Sequence, residues 1–325
     1  MYSYIKYKLR NNHFYVRYCQ TQVNNLRYFV KHIKLYLRKY HIPIDKEVDG
    51  NTVYFIFDSE QRHPGLADRL KVIVCAYWVA KINGFDFRVI FDHSLNFPAY
   101  LDENQVKWIG SNEELSYSIR NSRLLAYNGG GKIPKLNKRI KQYHIIYYIG
   151  INILARNNIK NWEAIWRQCF NELFVYKDYL IKNYNNTGLV RRKYIAAHLR
   201  FVNALEHFED GHYNSISKEE QQKLINDCLE TISGIQNNHK EPLIVFSDSN
   251  TFIECAKEAG FEFLQGNIGH VSFKNDAETE LKAFLDFYAI SQSKKVYRII
   301  KPKMYGTTFS YYAAISGDAI LETIN

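Results

Sequence analysis

His198 and Arg200 close the apolar run Ile195-Ala196-Ala197. In an extended chain alternate side chains share a face, so the imidazole and the guanidinium point the same way. An arginine fork grips a phosphate through two parallel hydrogen bonds. Open α/β sheets bind ligands at the C-terminal ends of their strands. A cap on a sheet edge, paired with a carboxylate, is the plainer use of the same arginine. Further polar residues stand where other apolar runs end. Ser247, Asp248 and Ser249 follow Leu243–Phe246, where they can meet a ligand or cap the next helix. Thr307, Thr308, Phe309 and Ser310 open a helix, a place that receives an anion or is simply capped. Asp286 lies in a helix with the apolar stripe Leu281, Phe284, Leu285 and Tyr288. Its carboxylate can accept from a guanine edge or lie solvated. Gly65, Asp68 and Arg69 join a strand to a long helix, either facing a cleft or forming an ordinary turn.

Alternating strands and helices must position these groups. Thr52–Phe57 and Phe87–Phe91 read as strands around a long helix, Gly65–Ile82, and Leu124–Tyr127 and Tyr143–Tyr148 are short apolar runs. A helical block over 160–182 carries Trp162, Trp166, Phe170 and Phe174 at four-residue spacing, and 184–192 reads as a linker. A second alternation follows, with a capping box at Ser217 and Glu220. The organisation expected is a basic amphipathic segment over 1–44, one Rossmann-like domain over 45–185 and a second over 186–325, facing a cleft.

Composition narrows the function. At 325 residues with 46% apolar content, the chain can bury two cores. Five scattered cysteines, without paired or ligand-like spacing, argue for a reducing compartment and against a zinc or disulfide framework. No secretory signal opens the sequence, and no apolar run is long enough for a bilayer. The expected location is cytoplasmic. Net charge is +10, and nine of those charges fall in residues 1–44, which hold no Asp or Glu. There Leu26, Val30, Ile33 and Leu37 form one helical stripe and Arg27, Lys31, Lys34 and Arg38 the adjacent one. Residues 22–40 therefore either touch an anionic membrane peripherally or pack on the first domain with a solvated basic face. Nothing follows that resembles a nucleic-acid-binding module, so no nucleic-acid partner is expected.

Four motifs, in order from Thr52 to Gly317, resemble the fucosyltransferase superfamily with two Rossmann-like domains. That group includes α-1,6-, nodulation, protein O- and bacterial α-1,2-fucosyltransferases. Gly65-Leu66-Ala67-Asp68-Arg69-Leu70 is similar to its glycine-rich element, and His198-Leu199-Arg200 to its HxR motif. Phe246-Ser247-Asp248-Ser249 is similar to its SD element. Asp286, followed by Thr308-Phe309-Ser310-Tyr311-Tyr312-Ala313-Ala314, is similar to its closing block. The resemblance implies a GT-B-type architecture, with Arg200 on the diphosphate of a sugar nucleotide, His198 beside it and Asp286 on guanine. It implies that Thr308, Phe309 and Ser310 line the nucleotide pocket, and that Gly65, Arg69, Ser247 and Asp248 contact substrate.

The function expected on that basis is inverting transfer of fucose from GDP-fucose to a glycan hydroxyl in bacterial surface-polysaccharide synthesis. No cofactor is called for. No Asp-x-Asp pair occurs, so Arg200 would replace a metal in stabilising the departing diphosphate. Several relatives continue HxR as HxRRxD, whereas this chain reads Phe201-Val202-Asn203, so the catalytic base must come from elsewhere. Glu206 is the first choice, with Asp68, Glu209 and Asp210 as other carboxylates near the site. Transfer from another nucleotide sugar, or a degenerate scaffold in a polymer-assembling complex, remains open. A phosphate loop at Asn128-Gly129-Gly130-Gly131-Lys132 lacks the spacing and terminal hydroxyl of a P-loop.

Overall fold

The computed structural model describes residues 21–42, 48, 50–58, 63–91, 95–125, 132–146, 151–189, 193–206, 216–266 and 277–325. Glu209, Asp210 and residues 128–131 of the glycine-rich stretch lie outside them. Helix α1 spans Thr21–Lys39. Strand β1, Thr52–Phe57, is buried along its whole length, as a central parallel strand must be. It leads into α2, Leu66–Asn83, which ends at Gly84 in the left-handed conformation (φ 69°), with the Gly84 amide on the Ala80 and Lys81 carbonyls. Strand β2, Asp86–Phe91, returns parallel to β1. After β3 (Leu101–Glu103), β4 (Ser122–Leu124) and β5 (Gln142–Ile145), the first sheet has the order β2-β1-β5-β4, all parallel.

The aromatic block at 160–182 is not one helix. Helix α3, Trp162–Leu173, stops at Phe174, which begins β6 (Phe174–Tyr176) and pairs antiparallel with β3. Trp166 and Phe170 are buried core, while Phe174 enters the core from a strand. The expected linker also shortens, because α4 (Asp178–Asn186) runs into it and buries Tyr184.

The second half is β7 (Ile195–Leu199), α5 (Lys218–Asn237), β8 (Leu243–Ser247), α6 (Asn250–Glu258), β9 (Glu262–Phe263), α7 (Ala277–Ser291), β10 (Lys295–Ile299), α8 (Phe309–Gly317) and β11 (Ile320–Ile324). Its parallel sheet has the order β11-β10-β7-β8-β9, which places β7 at the centre. The Ser217 and Glu220 capping box opens α5 as expected. Strand alternation divides β7 cleanly. Ile195, Ala197 and Leu199 pack with Ile232, Val245 and Phe252 in one apolar cluster, whereas Ala196 joins the other.

That other cluster joins the two halves. It runs from Phe55 and Val89 of the first sheet, through α2 and α3, to Phe284, Phe287 and Ala313 of α7 and α8. Helix α2 is apolar on all sides because it lies between its own sheet and α8. Tyr100 stacks on Phe284 with ring centroids 4.4 Å apart, and its hydroxyl donates to the Ala277 carbonyl. Helices α7 and α8 cross closely at Gly317, where a Cβ would stand 1.8 Å from the Ser291 carbonyl oxygen. The two halves of the chain are therefore joined by a packed helical layer. No described helix is long and apolar enough to cross a membrane.

Candidate functional site

The even-numbered face of β7 carries the site. His198 is buried and stacks on Phe309 at the start of α8, with centroids 5.5 Å apart and planes at 21°. Phe309 meets Phe287 of α7 edge to face. His198 Nδ1 and Ser310 Oγ are both buried without a hydrogen-bond partner. Burial, Arg200, Arg298 and Lys282 together lower the His198 pKa to about 3, so the imidazole is neutral at ordinary pH. Arg298 reaches the site because β10 pairs with β7 and sets Arg298 opposite His198, on the same sheet face. Its Nη1 donates to the Thr307 carbonyl at 3.4 Å, and its guanidinium lies 5.4 Å from the Tyr311 ring centre.

Arg200 is aimed by the turn after β7. Asp248 accepts from the Phe201 amide at 2.7 Å and the Val202 amide at 3.1 Å, and its Oδ2 lies 3.7 Å from Arg200 Nε. Val202 has φ 50°, a left-handed conformation that a β-branched residue rarely adopts. The two carboxylate bonds hold that turn. Burial raises the Asp248 pKa, while Arg200 and the two amides oppose the rise. The Arg200 guanidinium lies 5.3 Å from the Tyr305 ring centre, and the Arg200 carbonyl accepts from the Tyr305 amide.

Asp286 is not a solvated helix residue. It is half-buried beside Lys282 one turn earlier, whose Nζ is 2.6 Å from both carboxylate oxygens. Burial raises its pKa against the pull of Lys282. The Lys282 stem lies against Gly266 (φ 139°), where a Cβ would come within 2.7 Å of Lys282 Cδ. Thr307 is buried and its Oγ1 accepts from the Phe309 amide, while Thr308 precedes α8 half-buried without a side-chain capping bond.

Other expected site residues have structural tasks. Ser247 Oγ accepts from the Ser249 amide, and Ser249 Oγ caps α6 by accepting from Phe252. Glu206 Oε1 accepts from Ser249 Oγ at 2.9 Å and from the Thr251 amide at 3.0 Å. Glu206, the first choice for the base, is thus bound to the start of α6. Arg69 is likewise engaged within the fold. It is 1% exposed, donates from Nε to the Pro64 carbonyl and lies over Phe57, bracing the loop from inside. Gly65 has open space at its Cβ position. Asp68, 34% exposed, accepts from the buried Lys71 ammonium. Lys71 Nζ is 5.5 Å from the Tyr312 ring centre, and Tyr312 accepts from Asn152, so the glycine-rich element abuts α8.

His198, Arg200, Thr308, Phe309 and Ser310 thus lie together at the C-terminal end of β7, with Asp286 next to Phe287, whose ring meets Phe309, and Asp68 near α8 from the first half. Sequence reasoning overlooked Arg298 and Lys282. The i, i+4 spacing of Lys282 and Asp286 was a usable signal, whereas Arg298 needed the strand order. Among the described residues no three His, Cys, Asp or Glu side chains cluster as metal ligands.

No protein-family model and no curated protein matches the chain. Solved structures do. The NodZ α-1,6-fucosyltransferase soaked with GDP-fucose is similar at 12% identity and TM-score 0.53, covering 82% of this chain and 92% of that one. Fucosyltransferase NodZ from Bradyrhizobium is similar at 10% identity and TM-score 0.54, with the same coverages of 82% and 92%. A variant of FUT1 from Arabidopsis thaliana in complex with GDP matches at 12% identity and TM-score 0.55, covering 91% of this chain and 74% of that one. The chain has the two-halved α/β fold of these fucosyltransferases.

Proposed function

We propose that the chain is an inverting, metal-independent glycosyltransferase that moves fucose from GDP-fucose to a glycan hydroxyl in surface-polysaccharide synthesis. The observation carrying this reading is the placement of Arg298 across the sheet from His198 and of Arg200 two residues beyond it, beside the Phe309 ring stacked on His198 and the buried, unpartnered Ser310 hydroxyl at the start of α8. As the acceptor oxygen bonds to the anomeric carbon, the bond from that carbon to the diphosphate breaks and its electron pair leaves with the diphosphate. Negative charge grows there, and fixed cations in a partly dry site stabilise it more than they stabilise the bound donor. Arg200 and Arg298 fill the role that a divalent ion fills elsewhere. Phe201 stands where relatives carry a second arginine, and Arg298 supplies that charge from the neighbouring strand.

The acceptor proton passes to Asp68, the half-buried carboxylate next to α8, with Lys71 holding its orientation. Lys282 beside Asp286 sets a donor next to an acceptor. Guanine presents O6 as an acceptor alongside its N1 and N2 donors, the complementary order.

Two measurements test the reading. Arg200→Ala should abolish transfer from GDP-fucose while leaving the unfolding temperature near that of the parent. In a thermal-shift panel of GDP, UDP, ADP and CMP, GDP should stabilise most, because a ligand that binds only the folded state raises its stability. Lys282→Met should erase that preference. Stabilisation by UDP alone defeats the donor assignment, and no binding of any nucleotide would leave a non-catalytic scaffold.

A further inference from the structure

We propose that α1 docks the protein on an anionic lipid surface. The helix is held to the body by Leu35, which is 2% exposed and clusters with Tyr54, Ile56, Ile90, Leu115 and Ile146. At 100° per residue, Leu26, Phe29, Val30, Ile33 and Leu37 centre on the opposite side of the helix from Leu35. They are 62%, 60%, 42%, 42% and 76% exposed, and Ile42, just beyond the helix, is 77% exposed. A surface helix ordinarily turns its apolar stripe to the core. This one turns it outward, and an exposed apolar patch of that size marks an interaction site.

Charge identifies the occupant. Thr21–Lys39 contains five Lys and Arg residues and no acidic one. Exposed Lys31 and Lys34 flank the apolar stripe on one side. A second copy of the chain docked on this face would bring the same cations against themselves. Residues 1–20 also carry four cations and no carboxylate, so they would cover the stripe at the same electrostatic disadvantage. A nucleic acid would use the lysines and leave Leu26, Phe29 and Leu37 in water. The headgroup region of an anionic bilayer takes both, with the apolar stripe among the acyl chains and the lysines among the phosphates. A helix of 19 residues lies about 28 Å along such a surface. This surface owes nothing to the transfer chemistry, so the two proposals stand or fall separately.

Co-sedimentation of the full chain with phosphatidylcholine vesicles, with and without phosphatidylglycerol, decides the matter. The parent should pellet with the anionic vesicles only, and raised salt should release it. Leu37→Glu, at an exposed position, should weaken pelleting by on the order of tenfold or more. Lys31→Glu combined with Lys34→Glu should remove the preference for phosphatidylglycerol, and all variants should keep the parent's unfolding temperature. The proposal is overturned by a parent that stays in the supernatant with anionic vesicles at low salt. Pelleting that Leu37→Glu leaves unchanged overturns it too, as does a dimer, seen by analytical ultracentrifugation, that the same substitution dissolves.

Discussion

Asp248→Asn tests how the site aims its arginine. The Asp248 carboxylate accepts from the Phe201 and Val202 amides at 2.7 and 3.1 Å and faces Arg200 Nε at 3.7 Å. An asparagine of the same shape keeps one acceptor and turns an NH₂ group toward the second amide. A hydrogen bond to a charged acceptor contributes about 1.5–3 kcal/mol, and a buried amide left unsatisfied costs about 1–3 kcal/mol. The carboxylate bonds, with the Ala204 and Glu206 amides on the Phe201 and Val202 carbonyls, oppose the left-handed strain at Val202, itself about 1–3 kcal/mol. The variant therefore has two outcomes that fit the geometry. If the turn holds, urea unfolding should show a loss of about 2–4 kcal/mol. If the turn relaxes, the stability loss shrinks and Arg200 loses its aim. Calorimetry with GDP should then show binding weakened by on the order of tenfold or more, since 1.4 kcal/mol is tenfold. In neither case does the effect vanish from both measurements. Parental stability together with parental GDP affinity would refute the claim that Asp248 sets the turn.

Three further outcomes follow from particular contacts. Gly317→Ala places a Cβ 1.8 Å from the Ser291 carbonyl oxygen, so α8 must move off α7, and thermal unfolding should fall by several kcal/mol. His144, buried with its pKa lowered from 6.5 to about 3, stays neutral in the fold. Its stabilising contribution is present above pH 6.5 and drains away as pH falls toward 3, because the unfolded chain takes up the proton first. Between pH 7 and 5, His144→Gln should therefore lose about 2 kcal/mol less stability than the parent in urea titrations. Glu206→Gln should cost about 1 kcal/mol of stability at the α6 start and leave kcat unchanged, whereas Asp68→Asn should lower kcat steeply with the fold intact.

Much of the site was legible because it lies at the junctions of an alternating pattern. His198, Arg200, Thr308, Phe309 and Ser310 fall where strands end and helices begin, and period-two and capping arguments place them without tertiary knowledge. Arg298 escaped because its importance comes from β10 lying beside β7, a pairing of strands far apart in the chain. The bonds of Glu206 to the start of α6 escaped for a related reason. Nearness in sequence to Arg200 says nothing once Val202 turns the chain away into the left-handed region. The burial of Arg69 was not legible because one residue along a helix is a rotation of about 100°, enough to turn it inward while Asp68 stays partly open to solvent. The stripe of Leu26, Val30, Ile33 and Leu37 was read correctly as a stripe. Which way it faces depended on Leu35 finding its place among residues of β1, β2 and the segment after β5.

The apolar layer through α2 bears on modularity. Its inner face belongs to the first sheet and its outer face to α7 and α8, which carry Asp286, Phe309 and Ser310. Neither half can be lifted out without exposing an oily surface the size of a helix. Donor preference is therefore not a portable cassette in this molecule. A chimera that grafts residues 193–325 from a relative with another donor would have to bring the matching faces of α2 and α3 with it. The two halves should melt as one cooperative unit, and changes in donor and acceptor choice should be coupled through the helices they share.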